Sequence, residues 1–140
     1  MTIDANGQTG ICIGSGLGGA IEICQGKYVL EITGDTGVGI GAFDADSRID
    51  ISRSTVKLNI GGGEIAAIGT IGGNHAEVLI KDAIVITNIG ARRGTCVGAL
   101  DERTDFMVEN ANFRTTARGE NSLSVVKRQS FKWLNNSSVI

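Results

Sequence analysis

Apolar residues in this chain recur at every second position in short runs, and glycine or a few polar residues separate one run from the next. In "TVKLNIG", Val56, Leu58 and Ile60 alternate with Lys57 and Asn59; in "RIDIS", Ile49 and Ile51 flank Asp50. Successive side chains of an extended chain point to opposite faces, so a period of two predicts strands with one face buried and one in solvent. A helix would need apolar positions three and four apart, and glycines interrupt the segments that could carry that pattern.

The runs repeat at longer range. Ile13 with Gly14, Ile40 with Gly41, Ile68 with Gly69 and Val97 with Gly98 are spaced by 27, 28 and 29 residues. Each unit has the same order of parts. A first strand ("GICIG", "VGIG", "AAIG", "TCVG") is followed by a polar turn and a second strand ("AIEIC", "RIDIS", "EVLIK", "DFMVE"). A two-residue corner ("QG", "RS", "DA", "NA") leads to a third strand ("KYVLEIT", "TVKLNIG", "IVITNIG", "NFRTTAR"). Links such as "GDTG", "GGG" and "GARRG" return the chain to the next first strand.

Alignment of the third strands gives largely apolar columns: Tyr28, Val56, Val85 and Phe113; Leu30, Leu58, Thr87 and Thr115; Ile32, Ile60, Ile89 and Ala117. The positions between them are mostly polar, among them Lys57, Arg114, Glu31, Asn59 and Asn88. An antiparallel sandwich explains the period of two but not columns that recur once per repeat. A right-handed parallel β-helix explains both, because each strand then pairs with its counterpart one coil away, about 4.8 Å along the axis.

The expected fold is therefore all-β: a β-helix (solenoid) of four to five coils of 27–29 residues, with three short strands per coil. Residues 1–140 form one domain, with a partial coil at 1–9, four full coils at 10–120 and a partial coil or cap at 121–140. Within that last segment "SLSVV" resembles a fifth first strand. "SFKWL" either continues as a second strand or folds over the open end, and Phe131, Trp133 and Leu134 serve as the cap in both cases.

Composition agrees with repetition. The 21 glycines and aromatic content of 4% leave little bulk for an irregular core, while 41% apolar residues still suffice to fold. The absence of proline fits a chain spent in hydrogen-bonded ladders. A formal charge of -2 gives no basic footprint, so nucleic acid is not an expected partner. No apolar run is long enough to span a membrane, and "MTIDANGQTG" shows no signal peptide. Cys12, Cys24 and Cys96 are an odd count without metal-ligand spacing and read as small hydrophobes.

The grammar of "GVGIGAF", "RIDIS" and "TVKLNIGGG" resembles the glycine-rich right-handed β-helix repeats of bacterial surface proteins, often labelled as containing a carbohydrate-binding domain. It is also similar to the broader pectate-lyase-like β-helix class. The likeness covers roughly residues 1 to 126 and departs from the pattern at "DERTDFMVEN", where charge and bulk replace Gly and Thr. It implies an extracellular or cell-surface location and a polysaccharide partner.

Solenoids bring equivalent turns to one edge, which is where a ligand site is expected. The turn after the first strand collects Asp44, Asp46, Asn74, His75, Asp101, Glu102 and Arg103. Oxygen ligands at that density suit sugar hydroxyls or a Ca²⁺ ion, against the plainer reading of a solvated polar turn; no cofactor and no metal site is assigned. The return links form a second ridge of Asp35, Glu64, Arg92, Arg93, Arg118 and Glu120. His75 is the only histidine, and neither a nucleophile elbow nor a phosphate loop is present. The expected function is a non-catalytic structural or adhesive module that binds carbohydrate along the turn edge. Self-association through open coil ends is the alternative, and a polysaccharide lyase or hydrolase the weakest of the three.

Overall fold

Leu58 pairs in register with Leu30 on one side and Thr87 on the other, and the same holds along the whole third strand. Tyr28, Val56, Val85 and Phe113 form one such row, and Ile32, Ile60, Ile89 and Ala117 another. Residues of like character thus lie one above another. A buried column stays largely apolar through the stack, with Thr87 and Thr115 the exceptions in the leucine column, and the inner windings bond to the backbone above and below. The computed structural model is a parallel β-solenoid of about four turns, all-β and without helix among the described residues. It describes residues 1–100, 102–125, 129–134 and 138–139, with side-chain surroundings through residue 120.

The strands are β1 (Thr2–Asn6), β2 (Thr9–Ser15), β3 (Gly19–Phe43), β4 (Ser47–Ile71), β5 (His75–Lys81), β6 (Ile84–Ala99), β7 (Arg103–Glu109), β8 (Asn112–Arg118), β9 (Asn121–Val125), β10 (Gln129–Leu134) and β11 (Ser138–Val139). Three short strands per coil are expected from sequence, yet β3 and β4 each run for 25 residues. The corners are the reason. Gly26 pairs with Ser54 and Gly34 with Gly62, so the ladder continues around two bends of the winding. For β3 and β4 only the turn after the first strand interrupts it, between Phe43 and Ser47 and between Ile71 and His75. In the later windings the corner does so too, between Lys81 and Ile84 and between Glu109 and Asn112.

The corner between second and third strands is made by one left-handed residue per winding: Gln25, Arg53, Asp82 and Asn110, with φ of 61°, 47°, 49° and 45°. Asp and Asn tolerate this region, whereas for Gln and Arg it costs about 1–2 kcal/mol. The stack holds all four alike because a corner that did not follow its neighbours would break two ladders.

The bend at the end of the first strand uses glycine instead. Gly14, Gly41, Gly69 and Gly98 pair in sequence through the stack. φ is 149° at Gly41 and 148° at Gly69, and a Cβ on either would collide with the carbonyl of the next glycine in the row. The preceding stretch is crowded on both faces: Val38, Ile40 and Ala42 are buried, as are Gly37, Gly39 and Gly41 between them. A Cβ on Gly39 would meet the side chain of Leu58 and the carbonyl of Ala67. "GVGIGAF" is therefore small because it has neighbours on both sides, not because it is loose.

The core is one continuous cluster of inward columns, including Ile23, Leu30, Ile49, Ile51, Leu58, Ile60, Ile80 and Val97. In the later windings Phe106 and Phe113 take positions held by Val78 and Val85 one winding earlier. Their rings pack edge to face with centroids 5.2 Å apart, filling the interior with fewer and larger groups. At the other end Ile3, Ile13 and Ile21 pack on this core but remain only partly buried. β1 and β2 have β3 on one side and no further strand beyond among the described residues. The backbone of 129–134 takes the second-strand alternative, with Phe131 paired to Phe106 and Trp133 to Val108. The cap assigned to Phe131, Trp133 and Leu134 concerns side chains outside the described set.

Candidate functional site

The turn edge brings several of the expected residues together. Asp46 Oδ1 accepts hydrogen bonds from the backbone N–H groups of Asn74 (2.8 Å) and His75 (3.0 Å), so one winding's carboxylate fastens the turn of the next. His75 pairs in register with Arg103, and its Nε2 lies 2.9 Å from Oδ2 of Asp105. Arg103 donates to the same oxygen at 3.1 Å. Asp46, Asn74, His75 and Arg103 thus form one chain of contacts, completed by Asp105, which the turn-by-turn reading missed because it sits on β7 rather than in a turn. A period-two count outward from Arg103 would have found it.

Asp44 stands apart from this chain: it is exposed, with φ of 53°, and its amide donates to the carbonyl of Ile71 at 2.8 Å. Glu102 is exposed and its amide donates to Ala99 at 3.1 Å. Asp101 lies outside the described residues. Among the described residues no group of three or more His, Cys, Asp or Glu side chains is placed to hold a metal ion. On the return ridge Arg93 pairs with Glu64 at 2.8 Å.

A second polar surface lies on the outward face of the third strands. Glu31, Asn59, Asn88 and Thr116 pair in sequence across four windings. Asn88 Nδ2 donates to Asn59 Oδ1 at 3.0 Å, and Asn59 Nδ2 donates to Glu31 Oε1 at 3.3 Å. The bonds all point the same way, and each amide keeps a second N–H outside the ladder. Beside this ladder runs the column Thr33, Gly61, Gly90 and Arg118. The two columns border an open groove of about 630 Å³. Sequence alignment shows both columns, but the groove exists only once the windings are stacked.

The cysteines are free. Cys96 is fully buried, and burial pushes its thiol up to about 11, against smaller opposing contributions from Thr87 and the Thr116 carbonyl. Cys12 is only half-buried, and burial raises its thiol too. Cys24 is half-buried beside Arg53, whose Nη2 lies 2.9 Å from its sulfur.

These features define a parallel β-solenoid with two polar surfaces, one along the turns and one along the third strands. Compared with known proteins, the chain matches no family model, no curated protein and no solved structure. Among the described residues no helix is long and apolar enough to cross a membrane.

Proposed function

We propose that this chain is a non-catalytic structural or adhesive module that presents a regular polar face to carbohydrate, in keeping with its resemblance to β-helix repeats of bacterial surface proteins. The observation that carries the reading is the ladder from Asn88 through Asn59 to Glu31. It repeats hydrogen-bonding groups at the spacing of the windings on a backbone that the stack holds rigid. Such a surface binds a polymer with repeated polar groups without a deep pocket.

Glycoside cleavage needs two free carboxyl groups on either side of a bond. The turn offers Asp44 and Asp46 as such a pair, and Asp46 is engaged by two backbone N–H groups of the next winding. Binding without turnover is expected. Wild-type protein on an array of neutral and anionic glycans gives the first measurement, and assays for reducing ends and unsaturated products give the second. Product formation would make it an enzyme; no bound glycan would remove the carbohydrate role.

A second reading, assembly end to end, is favoured by the partly buried Ile3, Ile13 and Ile21 and by the edges of β1 and β2 that no strand among the described residues covers. Unpaired strand edges are templates for another chain. Light scattering over a concentration series decides it: growth that Ile13→Lys suppresses supports stacking, and a strict monomer at high concentration excludes it.

A further inference from the structure

Gly61 and Gly90 differ from the glycines of the bends. Neither has the positive φ that would require glycine. A Cβ on Gly90 would meet nothing within 4 Å, and one on Gly61 only the Gly90 carbonyl at 3.9 Å. Both lie within strands and point outward, at positions where a β-branched residue would strengthen the ladder. The backbone does not need glycine there, and packing does not forbid a side chain. Two adjacent missing side chains leave a notch, closed at its ends by Thr33 and Arg118 and walled along one side by Glu31, Asn59, Asn88 and Thr116.

Resting on the carbohydrate reading above, we infer that this notch is the ligand site, and that its ligand is a neutral glycan chain lying along the solenoid axis. The wall supplies polar groups once per winding, about 4.8 Å apart. An extended peptide advances about 3.3 Å per residue, so no whole number of residues matches a single winding. A nucleic acid backbone needs a row of cations, whereas the charges here are one carboxylate, Glu31, and one guanidinium, Arg118. A chain of sugar rings offers hydroxyl donors and acceptors at every unit and carries no charge to be desolvated. The second N–H of Asn59 and Asn88 donates to ring hydroxyls, the Glu31 carboxylate accepts from them, and the bare floor at Gly61 and Gly90 lets the rings lie close to the backbone.

The test uses the full chain against immobilised neutral oligosaccharides of glucose, N-acetylglucosamine and xylose, with three variants. Gly61→Val with Gly90→Val fills the notch, Asn59→Ala with Asn88→Ala removes the wall amides, and Asp44→Ala alters the turn edge alone. The expected result is binding by wild type and by the Asp44 variant, with losses of about tenfold or more in each double variant and an unchanged or higher melting temperature for the valine pair. Binding retained by the valine pair overturns the notch while leaving the carbohydrate reading standing. No binding by wild type overturns both. A valine pair that fails to fold overturns the premise that the glycines are spared for a ligand, and retained binding by the alanine pair overturns the role of the wall.

Discussion

Gly69 and Gly90 are one residue type in two opposite situations. Gly69 lies in a row where φ is positive and the Cβ position is taken by the carbonyl of Gly98. Gly90 lies in a strand with ordinary backbone and open space above it. The first glycine is demanded by the fold; the second is left over by it. Both kinds recur in register, as Gly69 with Gly98 and Gly61 with Gly90, so only the space around each tells them apart. The notch proposed above rests on that difference.

The sharpest way to break this comparison is Gly69→Ala. The added methyl group would enter the Gly98 carbonyl at a φ that L-residues avoid. We expect a loss of about 4 kcal/mol or more, read as collapse of the cooperative transition in urea. Alanine tolerated there without loss would end the distinction between the two glycines.

The core columns give the next largest effect. Leu58→Ala, at a fully buried site flanked by Leu30 and Thr87, is expected to cost about 2–5 kcal/mol, whereas Lys57→Ala beside it changes stability by less than about 0.5 kcal/mol. Equal effects from the two would mean that alternate residues do not face opposite sides.

Cys96 sharpens the comparison by pH. Its thiol is raised from 9.0 in the unfolded chain to about 11 in the folded one, so the unfolded state releases its proton first as pH rises. Stability from this group is whole below pH 9.0 and declines up to about pH 11, by about 3 kcal/mol in all. Chemical denaturation at pH 8, 9, 10 and 11 should show that decline, and Cys96→Ala should flatten it.

Smaller gains are expected where the chain accepts local strain or omits a side chain. Arg53→Asn relieves a left-handed corner and should stabilise by about 1 kcal/mol, seen as a higher urea midpoint with an unchanged slope. Gly90→Thr should stabilise by about 0.5 kcal/mol, because a β-branched residue suits an outward strand position with open space. A loss at Gly90 would show that its glycine serves the fold after all.

The columns through Leu30, Leu58 and Thr87 were readable without coordinates, because a solenoid obliges like residues to recur at the length of one winding. The corners were readable only in part. Asp82 and Asn110 are residues that favour left-handed backbone, while Gln25 and Arg53 adopt it only because the neighbouring windings do. The turn edge was legible as a collection of polar residues but not as a network. That Asp46 is consumed by the backbone of the next turn, and that Asp105 joins His75 and Arg103, depends on how far one winding is displaced over another.

Sequence by itself determined the period, the face each strand residue takes and the identity of the columns, since these follow from local alternation repeated at nearly constant length. Tertiary structure alone decided which glycines are compulsory, which carboxylates are free and where a groove opens. Each of those is a distance between atoms of different windings, and no pattern along a single strand contains it.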